Sequence, residues 1–296
     1  VDQPDVMVER DYWSDLRRHT EWEEIWMNHP AVRARINRRV TGDDGLWPIA
    51  WLRGVVPDRV PFRRALSVGC GVGNFERSLV ELDLVERVTG IDASGAAIEK
   101  ARRSAQEAGM EGRIRYAVGD ARRILPAQRD LDAVFFHASL HHFDRLPELL
   151  GLVRAALSGR GVLYLDEYVG PARGEWGLGH LVSWNLLYRR LPGVVRRTRI
   201  VRRPINRDDP TEAVASSGIL PAVAQHFRTL ARRDYGGNLL AVLYPSLRRP
   251  GAPGGPTGPI FDAIVEDLLE REERLLRRGE NSFYSVVVAE PRPEVA

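Results

Sequence analysis

Cysteine is nearly absent from this sequence. Cys70 is the only one in 296 residues, so no disulfide can form within the chain. That suits a reducing compartment and leads us to expect a cytoplasmic protein. Lysine is as scarce: Lys100 is the only one among 43 basic residues, a bias that reads more simply as a GC-rich genome than as a function. Long apolar runs are missing too. None approaches the ~20 residues of a membrane span, and no charged-then-apolar leader opens the sequence, so no membrane partner is expected. The net charge is a modest +3. What remains is 44% hydrophobic and 28% charged residues, ordinary for a globular enzyme, in a length that suits one core fold with helical additions.

The densest signal lies between Arg64 and Glu76. Ala65, Leu66 and Val68 read as a short buried strand, followed by glycines at alternate positions (Gly69, Gly71 and Gly73) and an amphipathic helix from Phe75 to Leu84. Strand, glycine turn and helix in that order make a ligand-binding elbow: the glycines let backbone approach a ligand, and the helix start offers free N–H groups. A dinucleotide fingerprint, G-x-G-x-x-G, would need a glycine at position 74, which is Asn74. This weakens a nicotinamide oxidoreductase reading. Cys70, inside the turn, reads as a small filler rather than a nucleophile.

Around this elbow the chain alternates strand and helix. Strands are predicted at 85–91, 114–118, 132–136, 161–165, 227–235 and 283–289. Ser94 caps a helix to about Ala108 with Ile98, Ala101, Ala105 and Ala108 inward, its turn delayed from Gly109 to Gly112. Leu146 to Leu157 forms another helix, and Pro259 opens a long one from Ile260 to Arg278 that Gly279 ends. The expected fold class is α/β: a Rossmann-like doubly wound sheet of seven strands, with N-terminal helices and a helical cap inserted after strand five. We divide it into an N-terminal helical segment (1–64), a cofactor-binding core (65–170), a cap or lid (171–222) and a C-terminal completion of the sheet (223–296). In the first segment a helix from Ser14 to Met27 is expected to end at Pro30, and a second to carry Val32, Ile36 and Val40 on one face. Trp13, Trp22, Trp26, Trp47 and Trp51 would dock these helices; the alternative is that Tyr12 and Trp13 help cover a bound cofactor.

Acids stand at the ends of the next two strands. Asp92 can accept ribose hydroxyl hydrogens, or can merely cap a helix. Asp120, in Gly119-Asp-Ala121, also reads as a turn aspartate. Together with the G-x-G-x-G spacing, this order resembles the class I S-adenosylmethionine-dependent methyltransferases over residues 60–170. The segments His137-Ala-Ser-Leu-His-His-Phe143, Asp166–Pro171, Asp209–Ser217 and Gly236–Leu240 look like those of a bacterial small-molecule group within that family. The resemblance implies S-adenosyl-L-methionine as cofactor, held by Gly69, Gly71, Gly73, Asp92, Ala93, Asp120 and Ala121, with Asp120 at the adenine amino group. His137 would contact the cofactor or simply shape the strand end. It implies a small-molecule acceptor beneath the cap, with His142, Tyr168 and Ser217 beside it, and neither a metal nor a covalent enzyme intermediate.

Methyl transfer from a sulfonium needs a nucleophile held close, aligned and dry; a base helps where the acceptor must lose a proton. His141 and Glu167 are the expected catalytic residues, for transfer to oxygen, nitrogen or carbon. No carboxylate accompanies the three histidines at a recognised ligand spacing, so no metal is expected. The run 189–207, with eight arginines and no acid, reads as a solvated face first, as an anionic-substrate site second, and as a nucleic-acid surface last. Ala138-Ser-Leu-His stands where base-methylating enzymes carry an Asn/Asp-Pro-Pro-aromatic motif, which disfavours nucleic acid. The rival from another class is a non-catalytic cofactor-binding scaffold. Nothing in the sequence sets the oligomeric state.

Overall fold

The computed structural model describes residues 25–206 and 209–293. The proposed helix from Ser14 falls almost wholly outside them, as do Tyr12, Trp13 and Trp22. Trp26–Asn28 form a single 3₁₀ turn, and Pro30 is the first residue of helix α1 (Pro30–Thr41). The reason is local: at the first helical position proline's missing N–H costs nothing. Val32, Ile36 and Val40 are buried on its inner face, and Gly42 ends it in the left-handed region. Of the docking tryptophans, Trp26 is buried, whereas Trp47 is 56% exposed beneath the Arg33 guanidinium.

Seven strands build one sheet: β1 (Ala65–Val68), β2 (Val88–Asp92), β3 (Ile114–Val118), β4 (Leu131–His137), β5 (Leu157–Tyr168), β6 (Phe227–Gly236) and β7 (Tyr284–Pro291). Their order is β3-β2-β1-β4-β5-β7-β6. The first five are parallel, and β7 runs antiparallel between β5 and β6. β1 and β4 lie side by side at the centre, so the chain's direction of winding reverses there and a crevice opens at their C-terminal ends. Side chains alternate between two cores. Phe135, Tyr164 and Val286 point to one face, and Val134, Phe136, Leu163 and Val287 to the other.

Helices α2 (Asn74–Glu81), α3 (Gly95–Glu107), α4 (Leu146–Ala156), α5 (Leu178–Arg190), α6 (Ile219–His226) and α7 (Gly258–Arg277) complete the fold. Leu149, Leu150 and Val153 of α4 are fully buried, each contributing about 1.5–3 kcal/mol by leaving water. The Ser94 hydroxyl caps α3 by accepting from Ala97 N–H. That helix stops sooner than its sequence suggests. Gly109, at φ +66°, closes it: Gly109 N–H reaches Gln106 O at 2.9 Å and Met110 N–H reaches Ala105 O at 2.8 Å, which leaves Ala108 exposed. Between β5 and β6, α5 and its arginine-rich continuation leave the sheet, and the chain returns through Asp209–Ser217 before α6 packs on α4. The expected cap boundary at residue 222 therefore falls inside α6. Among the described residues no helix is long and apolar enough to cross a membrane.

Candidate functional site

The crevice is shaped first by its glycine turn. Gly69 and Cys70 donate their N–H groups to Ile91 O, and Gly71 N–H reaches Asp92 Oδ2 at 2.9 Å. The other Asp92 oxygen accepts Ser94 N–H at 2.8 Å. Asp92 is thus both a local clamp and a wall of the crevice; a carboxylate carries about four acceptor sites, so the first duty does not exhaust the second. Gly69, at φ +70°, admits no side chain, because a Cβ would overlap that of Ser139. Ser139 in turn donates its hydroxyl to Val68 O at 2.7 Å, tying the loop after β4 to β1. Gly73 is placed differently from Gly69 and Gly71. It packs under the Tyr116 ring, with Tyr116 Oη donating to Gly73 O at 3.2 Å, and it is not among the residues lining the cavity.

That cavity is about 410 Å³, within the range of small-molecule sites. Gly69, Gly71, Asp92, Ala93, Asp120 and Ala121 line one end. Asp120 Oδ1 also accepts Arg122 N–H, so the turn-aspartate reading holds alongside any ligand role. His137 and His142 line the other end. The His137 ring stacks on Phe75 with centroids 4.6 Å apart. Ser67, Glu76, Arg122, Ser139, Thr211 and Val214 line it too, and sequence reasoning missed all of them. Thr211 and Val214 reach it from Asp209–Ser217, a segment that the sequence marks by resemblance without placing it against this cavity; that closure is a long-range contact.

Behind His142 lies a buried proton-handling cluster. His141 Nδ1 sits 2.8 Å from Glu167 Oε2, and Glu167 Oε1 accepts both Ser139 N–H and Leu140 N–H at 2.7 Å. Glu167 is only 1% exposed. Both oxygens of Glu167, a residue expected from the sequence to be catalytic, are thus engaged by other groups of the protein. Burial opposes protonation of His141, but the Glu167 hydrogen bond and charge, aided by Glu212 and Asp209, outweigh it and raise the imidazole pKa. His142 goes the other way: burial, then the neighbouring His141, holds it well below the usual range. Thr211 donates its hydroxyl to Asp209 Oδ1 and so accepts from His142 Nδ1 at 3.1 Å, which turns Nε2 into the ring's acceptor. His141 does not itself line the cavity; its Nε2 faces Glu212 Oε1 at 3.8 Å.

Three further expectations change. Ser217 is exposed and donates to Glu175 Oε1, away from the cavity. Tyr168 stands behind His141, edge to ring, with its hydroxyl on Pro171 O. Glu212 supplies the carboxylate that the sequence placed nowhere near the histidines: one possible ligand atom each from His141, His142 and Glu212 falls within 4.8 Å of the others. No arginine of the run 189–206 lines the cavity. The two that do, Arg122 and Arg145, are paired with Asp144 and Glu148.

A family profile described as "Methyltransferase domain" matches residues 65–161. Trans-aconitate 2-methyltransferase of Streptomyces avermitilis is 39% identical over 106 residues, 34% of this chain and 39% of that protein. Demethylmenaquinone methyltransferase of Leptospira interrogans is 27% identical over 112 residues, covering 38% and 45%. The match thus spans less than half the length of these curated relatives. Geranyl diphosphate C-methyltransferase from Streptomyces coelicolor, a solved structure, shares the fold over 98% of both chains, with a TM-score of 0.53 and 15% identity. The domain is that of an enzyme class, the methyltransferases. More narrowly, residues 65–161 match a methyltransferase domain, and the chain has the fold of a solved methyltransferase along nearly its whole length. The residues fit S-adenosylmethionine: a turn whose Gly69 admits no side chain, and carboxylates at the ends of β2 and β3 facing one cavity as acceptors for hydroxyl and amino donors.

Proposed function

We propose that this protein transfers a methyl group from S-adenosylmethionine to an oxygen or nitrogen of a small-molecule acceptor, with carbon methylation as the variant using the same base. The observation that carries this is a single cavity running from the carboxylates after β2 and β3 to the histidines after β4. When bound, the cofactor supplies a sulfonium-activated methyl group. Asp92 would accept from its ribose hydroxyls, and Asp120 with Ala121 would flank its adenine. His142, neutral at the cavity wall, would accept a hydrogen bond from the acceptor. His141 would take the acceptor's proton at Nε2, and Glu167 would stabilise the imidazolium so formed. Because Glu212 of the cap stands before that Nε2, proton transfer goes with a shift of the cap, and residues 171–222 act as a lid that excludes water.

The curated relatives carry names of two dissimilar small acceptors, an organic acid and a quinone precursor, which supports a small-molecule acceptor without choosing its type. A cytoplasmic setting suits the lone Cys70. Titration calorimetry with S-adenosylhomocysteine and with NAD tests the cofactor, and mass spectrometry of candidate metabolites, read for a methyl-sized gain, tests the reaction. Binding of NAD without S-adenosylhomocysteine would overturn the proposal.

A further inference from the structure

Among the described residues, Glu76 is the one carboxylate of the cavity wall whose oxygens are both buried without a hydrogen-bond partner; the Arg122 Nε is also unpartnered, but that guanidinium is held by Asp144. Glu76 sits in the first turn of α2, is 0% exposed and lines the cavity. Neither of its carboxylate oxygens has a hydrogen-bond partner. The Ser67 hydroxyl and its own backbone amide lie near enough to ease the burial, without completing a bond to either oxygen. The contrast with the other deeply buried glutamates is sharp. Glu167 takes two backbone N–H groups and His141, and Glu272 takes the N–H groups of Gly237, Leu239 and Leu240. Both are finished structural acceptors.

A buried carboxylate must be paired or lose its charge. Among the described residues no cation completes Glu76: Arg77, next in sequence, spends its guanidinium on Val72 O and Asn74 Oδ1. Cys70 and Tyr116, which also face it, are themselves held neutral by burial. Burial accordingly pushes the unliganded carboxyl up to about 7. Among the described residues, the side from which a partner can still come is the cavity that Glu76 lines.

We propose that Glu76 is the seat of the cofactor's α-ammonium group, so that the cofactor's amino-acid end completes a pairing the protein alone leaves open. This rests on the methyltransferase reading. The neutral donors of that cofactor, ribose hydroxyls and adenine amine, already have Asp92 and Asp120 before them; the ammonium is the cationic donor still without a place. Glu76 therefore distinguishes the intact cofactor and its demethylated product from nucleosides that lack the amino-acid portion.

Calorimetry with three ligands tests this: S-adenosylhomocysteine, which keeps the ammonium but not the sulfonium; S-adenosylmethionine, which has both; and 5′-methylthioadenosine, which has neither. Glu76→Gln keeps the shape and removes the charge. We expect it to weaken the first two by about ten- to a hundredfold, the range for a hydrogen bond to a charged group. Binding of 5′-methylthioadenosine should stay within about twofold. Ligand-free Glu76→Gln should melt at or above the wild-type temperature at pH 8, because an unpaired buried charge is gone. Equal loss for all three ligands with a lowered melting temperature would make Glu76 structural and overturn the inference. Loss for S-adenosylmethionine alone would place it at the sulfonium and overturn it equally, as would unchanged affinities. Failure of the wild-type protein to bind S-adenosylhomocysteine at all would overturn the cofactor reading, and this inference with it.

Discussion

Glu167 holds His141 by one oxygen, Oε2 to Nδ1 at 2.8 Å, while its other oxygen is held by the two backbone N–H groups that begin the loop after β4. The carboxylate is thereby fixed to the same loop whose histidine it orients. An imidazole tied at Nδ1 presents Nε2 as its basic atom, and a buried negative charge beside it favours the protonated ring.

His141→Ala should lower turnover by ~10²–10⁴-fold, the usual range for loss of a general base. The pH profile separates base from scaffold. His141 must be neutral to accept a proton, and its pKa is raised, so activity climbs with pH through that raised value. Glu167→Gln removes the main groups raising it, so the acid limb should move to lower pH while the plateau falls. The same pair adds stability that is full below the ordinary imidazole pKa and is lost as pH rises through the folded-state value. Near-wild-type turnover in both variants would remove base catalysis from the mechanism.

Asp92→Ala should weaken S-adenosylhomocysteine binding by roughly 1–3 kcal/mol, the range for unpairing buried polar partners. It should also lower the melting temperature, since Gly71 N–H and Ser94 N–H lose their acceptor. Calorimetry and thermal melts read the two effects separately. A melting change with no affinity change would confine Asp92 to the turn.

Gly73→Ala should destabilise the fold by about 2–4 kcal/mol, from a left-handed backbone and an overlap with the Tyr116 hydroxyl. Tyr116→Phe in the same chain removes the clashing oxygen and should restore part of the loss in urea denaturation. No recovery would place the cost in the backbone and in the overlaps with the Tyr116 ring and Ala101 Cβ that remain.

Lid closure predicts that limited proteolysis within residues 189–206 slows when S-adenosylhomocysteine and an acceptor are both present. Five arginines there, Arg189, Arg190, Arg197, Arg199 and Arg202, are exposed and open to trypsin; Arg203 is exposed too, but its bond to Pro204 resists the protease. Equal cleavage with and without ligands would count against closure.

The sequence alone determined the parts whose cause is local. A strand, three alternating glycines and a helix announce a ligand elbow because only glycine tolerates such a turn and such approach; Gly69 and Gly73 both have positive φ. The ends of the first three strands follow from apolar runs that stop at Gly69, Asp92 and Gly119, and so do the acids standing there. The resemblance to class I methyltransferases rested on that order, and the comparisons and the fold agree with it. Even local signals competed at some places: Gly109 could end α3 at once because left-handed glycine satisfies two orphan carbonyls, and Pro30 could begin α1 as readily as end its predecessor.

Tertiary structure decided which polar groups finish each other. Glu167 could not be told from a free base until three donors were seen on it, and Glu76 could not be told from a helix-surface acid until burial left it with none. Glu212 and Thr211 reach the histidines across about seventy residues of chain, a contact made by the cap's return and not by any spacing. Hydrogen-bond partners and desolvation depend on what packs from other elements, and no periodicity encodes them. The chain's order therefore pointed to the strand ends as the place for a ligand, and packing alone decided which acids near them carry hydrogen bonds and which carries none.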